Sequence, residues 1–167
     1  MIQSRGMRLL VLFVSFVLIG CNSDRFAKLE KENEALQAQI KVQQANLDLE
    51  SQAKCAKDSR EFFRANWQSD ADTLTLTYTN HFNKSRNKCV LLVENHYRAD
   101  GGRTDSWQNI MSLYDVYENG DYGDLSVWHQ ISTDASEKLH LFECKVDGQK
   151  CTSVEEYVKL VRFWMNE

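Results

Sequence analysis

The apolar residues of this chain change their spacing once, and the change separates two kinds of structure. Between residues 26 and 47 they recur in sevens; from residue 73 onward they alternate in twos. Phe26, Asn33, Ile40 and Leu47 fall seven apart, and Leu29, Leu36 and Gln43 fill the intervening seam positions. A seven-residue repeat lines these side chains along one stripe of an α-helix, as in a two-stranded coiled coil. Good helix formers dominate the segment, and neither Gly nor Pro interrupts it. A polar Asn33 in the seam fixes a parallel register at some loss of stability. The stripe predicts a helix from about Asp24 to Ser51 that pairs weakly with a second copy of itself, the alternative being a solitary spacer. About 27 helical residues would reach roughly 40 Å.

After Leu47 the seam is lost, because Lys54 and Glu61 occupy the next a positions. The apolar residues rephase to Ala53, Ala56, Phe63 and Trp67, with Cys55 and Phe62 beside them, which implies a continuing or following helix packed on a globular domain. Leu74, Leu76, Tyr78 and Phe82 then alternate with Thr73, Thr75, Thr77, Thr79 and His81, as in a half-buried antiparallel strand. Further strands are expected at residues 89–98, 107–117, 122–131 and 139–146. Asn119-Gly120 and Asp147-Gly148 carry hairpin-turn chemistry. Ser153 and Glu156 form a capping box before the apolar stripe Val154, Tyr157, Val158, Val161 and Met165. The fold class is therefore α+β: an N-terminal coiled-coil helix followed by a helix, about five antiparallel strands and a C-terminal helix. One face of the sheet is expected to carry both helices. With 11% aromatic residues and a net charge of only −4, the chain has enough apolar surface to bury and lacks the clustered cations of a nucleic-acid binder.

The first residues read as an address. Arg5 and Arg8 precede an apolar run from Leu9 to Ile19, too short to span a bilayer but the size of a signal-peptide core. The run ends in Leu18-Ile19-Gly20-Cys21, which resembles the lipobox of bacterial lipoproteins. The resemblance implies a leader over 1–20, removed on export, and a diacylglyceryl- and palmitate-bearing Cys21. Asn22, where an inner-membrane retention signal would carry Asp, implies the outer membrane, facing the periplasm. Residues 21–51 would be the lipidated anchor and coiled-coil stalk, and 52–167 the domain. Without the leader the chain has 18 basic and 24 acidic residues, so its attachment would rest on the lipid rather than on charge.

Four cysteines remain: Cys55, Cys89, Cys144 and Cys151. In an oxidising compartment an even count reads as two disulfides, with three possible connectivities. A two-residue turn at Asp147-Gly148 sets Cys144 opposite Cys151, within disulfide reach, and leaves Cys55 to staple the helix to Cys89 on the second strand. The segment Tyr78-Thr-Asn-His81-Phe-Asn83-Lys-Ser-Arg-Asn87-Lys88-Cys89 is similar to a pattern in a loose group of small exported bacterial proteins of unknown function. Those carry a Cys in a preceding helix and a late Cys pair before a final helix, so the resemblance supports the same framework and implies no activity.

No catalytic signature, phosphate-binding loop or metal-ligand spacing is present; His81 and His96 could approach each other across the first hairpin, and Asp115 and Asp124 could face each other across Asn119-Gly120. Both pairs read more simply as solvated surface, so neither a catalytic residue, a metal nor a cofactor is assigned. The dense late aromatics, Trp107, Tyr114, Tyr117, Tyr122, Trp128 and Phe142 among them, leave some rings facing outward. The functional expectation is a membrane-anchored, periplasm-facing module that binds a protein or peptidoglycan without catalysis. Rival readings are an inhibitor or immunity protein against an envelope-attacking enzyme, a pilotin-like chaperone of an outer-membrane channel, and an enzyme with an unrecognised site. Partners would be the membrane through the lipid, a second copy through the stalk, and an unknown envelope protein or glycan.

Overall fold

The computed structural model describes residues 3–98, 106–131 and 136–166, with side chains described from residue 24. The chain is α+β: helix α1 (Gln3–Asn66), strands β1 (Thr73–Asn83), β2 (Lys88–Arg98), β3 (Ser106–Asp115), β4 (Gly120–Ile131), β5 (Glu137–Val146) and β6 (Gln149–Lys150), and helix α2 (Val154–Met165). It divides into two compact units, Met1–Leu47 and Asp48–Glu167. The first unit is helical throughout its described residues, and Phe26, Leu29, Leu36, Ile40 and Leu47 are each between 56% and 69% exposed. Asn33 accepts a hydrogen bond from Gln37 one turn on. The lipobox, Cys21 included, lies outside the residues with described side chains.

Two expectations about the elements are corrected. No separate second helix follows the heptads, because α1 continues through Asn66. The seam is lost without any Gly or Pro to stop the backbone, so the apolar stripe changes phase while the helix goes on. Among the described residues there are six strands rather than about five, the sixth being the two-residue return of the Asp147-Gly148 hairpin. The strands form one antiparallel sheet in the order β1-β2-β3-β4-β5-β6.

A third correction concerns the layers. β2 is apolar on both faces: Cys89, Leu91 and Val93 point one way and Val90 and Leu92 the other. The two helices therefore cover opposite faces instead of sharing one. From Asp48 on, α1 lies on the Cys89 face, where Cys55, Ser59, Phe62 and Phe63 form its inward stripe. Cys55 is joined to Cys89, with Cα atoms 5.3 Å apart. Gln52 brackets the strand end of Phe82, donating to its carbonyl (3.3 Å) and accepting from its N–H (3.4 Å). Helix α2 covers the other face with Tyr157, Val161 and Trp164 against Val90, Leu113, Leu125, Val127 and Val146.

The fully buried Tyr157 reaches through this layer to donate its hydroxyl to Met111 O at 3.1 Å, and burial pushes its pKa up so that the proton stays on. Gly123 permits the close approach of β5, since a Cβ there would stand 2.7 Å from the Lys145 carbonyl. The start of α2 is capped as its sequence predicts: Ser153 accepts from Glu156 N–H at 3.2 Å. Glu156 reaches back one residue further than a standard capping box, to Thr152 N–H and hydroxyl. Asp147 and Gly148 both have positive φ, 52° and 75°, giving the tight hairpin that sets Cys144 and Cys151 side by side, Cα atoms 5.0 Å apart and disulfide-linked.

The bonds close loops of different length, with sequence separations of 34 and 7. On the chain-entropy account they contribute about 4 and about 2.5 kcal/mol respectively. Cys55→Ala/Cys89→Ala should therefore lower the free energy of urea unfolding by more than Cys144→Ala/Cys151→Ala does. Equal losses would contradict the loop-length account.

Candidate functional site

The described residues of the second unit form an open cleft of about 340 Å³ where the end of α1 meets the sheet, lined by Phe62, Asn66, Trp67, Tyr114, Asn119 and Asp121. Three elements build it. The last turn of α1 supplies Phe62 and Asn66, and Trp67 prolongs that turn by donating its N–H to Phe63 O at 2.9 Å. Tyr114 comes from the end of β3, on the same face as Leu91, its partner across the ladder. Asn119 closes the β3–β4 turn in the left-handed region (φ 51°), which an Asn tolerates better than most residues. Asp121 follows on β4.

The walls are aromatic. Phe62 and Tyr114 have ring centroids 5.3 Å apart, and Trp67 meets Tyr114 edge-on at 6.3 Å. All three rings are only partly buried, so each retains surface toward the opening. Asn66 uses its amide N–H on Phe62 O at 2.9 Å. At the mouth, Asp121 accepts from Gly123 N–H at 3.0 Å and stands beside Asp124. Partial burial, and then the neighbouring Asp124, hold the Asp121 carboxyl above the ordinary range. Asp124 is itself tied to the Ser112 hydroxyl (2.9 Å) and Lys145 (3.2 Å). Burial also raises Tyr114, which keeps its phenol proton as a donor.

The expected acid pair is not formed. Asp115 pairs with Gly120, whereas Asp124 pairs with Ser112, so the two do not oppose each other. The reason is the turn, which is not a two-residue one. Residues 116–119 form it, because the Asp115 carboxylate accepts from the Tyr117 N–H at 2.9 Å and widens it. A bulge at Tyr122 then shifts the register. Asp115 is also not solvated: it is fully buried against Lys88, 2.8 Å away, and that contact with Glu118 holds the Lys88 ammonium protonated. His81 and His96 do not approach either, since His81 pairs with Val90 and His96 with Thr75.

Sequence reasoning missed a cluster at the other end of the sheet. His129 lies 2.6 Å from Glu137 through Nδ1 and 3.1 Å from Asn109 through Nε2, with the Trp107 ring stacked on it. The signal was present as alternation on β3 and β4, but only the register places Trp107 opposite His129. Among the described residues no group of three His, Cys, Asp or Glu side chains is placed to hold a metal ion, and no helix is long and apolar enough to cross a membrane.

The cleft can therefore stack a flat or apolar ligand face on three rings and hydrogen-bond its rim through Asn, Tyr and Asp. Asp124, the carboxyl that neighbours Asp121, is not among the residues that line the cleft. No family model, curated protein or solved structure matches the chain.

The raised Asp121 has a consequence for stability. Its folded-state value lies above its unfolded value, so the folded chain holds the proton longer. Stability present below the ordinary carboxylate range is lost as pH rises through the raised value. Asp121→Asn should melt higher than the parent at about pH 7, by on the order of a degree, and coincide with it at about pH 3. A variant that melts lower at neutral pH would show that the carboxylate is favourably placed after all.

Proposed function

We propose that the chain is a lipoprotein of the bacterial outer membrane, anchored through Cys21 and facing the periplasm, whose α+β domain binds the glycan of the peptidoglycan layer without cleaving it. The observation that carries the binding half of this reading is the cleft of Phe62, Trp67 and Tyr114 rimmed by Asn66, Asn119 and Asp121. A pyranose presents one face of C–H groups and an equator of hydroxyls. Aromatic walls suit the first, and amide, phenol and carboxyl groups suit the second. At about 340 Å³ the cleft is at the small end of ligand sites, sized for a few sugar-ring equivalents rather than a folded partner. Asp124, the carboxyl beside Asp121, is tied to Ser112 and Lys145 and does not line the cleft, which favours binding over hydrolysis.

The anchoring half rests on the Leu18-Ile19-Gly20-Cys21 resemblance. The exposed stripe of Phe26, Leu29, Leu36, Ile40 and Leu47 favours a coiled coil with a second copy, since a helix this apolar on one side gains by covering it. A parallel pairing would also set Arg25 of one helix near Glu30 of the other, a favourable contact between flanking positions. Gln43 completes the seam as its second polar position.

The binding half is tested by co-sedimentation of the full chain with purified sacculi. The parent should pellet with them, and Trp67→Ala or Tyr114→Ala should each weaken retention about tenfold, on the order of 1.4 kcal/mol. Equal retention of the parent and both variants, or none of the parent, would refute it. The anchoring half is tested in cells by labelled palmitate, which should enter the parent and not Cys21→Ser. In the same cells Asn33→Leu should strengthen or rearrange the cross-linked stalk species. An unchanged cross-linking pattern would mean the stripe is not a pairing seam.

A further inference from the structure

The sheet is left open at one edge, and the way it is left open points to an occupant. β6 pairs with β5 only at Lys145 and Val146, and the Cys151 N–H adds one more bond to Cys144 O at 3.0 Å. There the ladder stops. The disulfide to Cys144 pins Cys151, and the chain then enters the Ser153 cap of α2. Upstream of that point β5 has no strand on its outer side among the described residues, and every residue from Glu137 to Glu143 is exposed. A groove of about 450 Å³ opens here, lined by Leu141, Phe142, Glu143, Lys145, Lys150 and the Cys144–Cys151 disulfide.

This edge carries lysines and a bulge at Phe142 but no covering element among the described residues. Exposed edges are normally blunted by proline, inward-pointing charge or a covering element, yet β5 presents Leu139 at 59% exposure and Phe142 at 64%, with Leu141 beside them. Glu143 is held by Lys145 at 3.1 Å and Glu137 by His129 at 2.6 Å, so both acids are answered within the domain. Lys138 and Lys150 have no acidic partner among the described residues; Lys150 lines the groove and Lys138 lies upstream of it on β5, both on the face that also carries Phe142.

We propose that this edge accepts an extended segment of another protein as a further strand, continuing the ladder that β6 begins. The segment is apolar at alternate positions, to cover Leu139 and Leu141 on one face, and acidic at its ends, to meet Lys138 and Lys150. The seat from Lys138 to Glu143 is about 20 Å long, enough for a strand of some six residues. Main-chain bonds to β5 supply affinity, and the two lysines select for charge. This surface is separate from the glycan cleft, and its occupant is a different class of molecule.

The test uses the full chain and synthetic seven-residue peptides of alternating valine and threonine that end in aspartate or in lysine. Fluorescence anisotropy should show the aspartate-ended peptide binding at least tenfold tighter than the lysine-ended one. The order should invert in Lys138→Glu/Lys150→Glu, and N-methylation of the peptide backbone should abolish binding by removing its ladder donors. Equal binding of the two peptides, no inversion, or undiminished binding of the N-methylated form would overturn the proposal. So would protection from hydrogen exchange of the β5 amides that point away from β4, in the peptide-free chain at high concentration, which would assign the edge to a second copy. Sacculus binding is unaffected by either lysine substitution, so this test and that of the cleft fail separately.

Discussion

Strand β2 can be exposed on neither of its sides. Its run of Cys89, Val90, Leu91, Leu92 and Val93 gives apolar side chains to both faces of the sheet, and four of the five are at most 1% exposed. A sheet built around such a strand needs cover above and below, and among the described residues two helices are there to provide it. The end of α1 covers one face and is held there by a covalent bond from Cys55. The other face is covered by α2, held by packing and by the reach of Tyr157 into the strand carbonyls. The two attachments differ in kind because the two helices differ in composition. The inward stripe of α1 is poor in large aliphatic groups, with Gln52, Cys55 and Ser59 along it, whereas α2 brings Tyr157, Val161 and Trp164. The disulfide supplies on the first face what burial supplies on the second.

The open cleft and the open edge follow from the same arrangement. Helix α1 ends at Asn66, so it covers the sheet only as far as Tyr114 and leaves the rings beyond its last turn half exposed. On the far side the chain leaves β6 after two residues to start α2, because Ser153 and Glu156 nucleate a helix two residues past Cys151. The sheet is thus fully protected at its centre and incomplete at its margins.

Much of this was legible in the sequence. The strand periods, the Asp147-Gly148 turn and the resulting Cys144–Cys151 opposition need only local chemistry, and the remaining cysteines then have one partner each. The two-sided character of β2 was also on view as five apolar residues in succession, but alternation in β1 invites a one-faced reading of the whole sheet. What could not be read depends on contacts distant in sequence. Asn119-Gly120 signals a hairpin, yet its length is set by the carboxylate of Asp115, and one misjudged turn misplaces Asp124. Phe62, Trp67, Tyr114 and Asp121 belong to no motif; they meet only because the disulfide sets the helix on the sheet and a bulge sets the register. Ser59, fully buried beside the Cys89 sulfur, carries no signal of burial in its own chemistry.

Every strand of the sheet pairs with its neighbour in sequence, so the ladder can zip up hairpin by hairpin with little loop entropy lost at each step. The contact of α2 with the first strand is of another order. The Asn83 amide donates to the Trp164 carbonyl across 81 residues, and Arg86 lies over the Trp164 ring. The face carrying Val90, Leu113 and Leu125 therefore stays wet until the last dozen residues arrive to close it. The order of assembly is written into the topology: the sheet forms early and locally, and the helix that seals this face makes the longer-range closure on which a dry interior there waits.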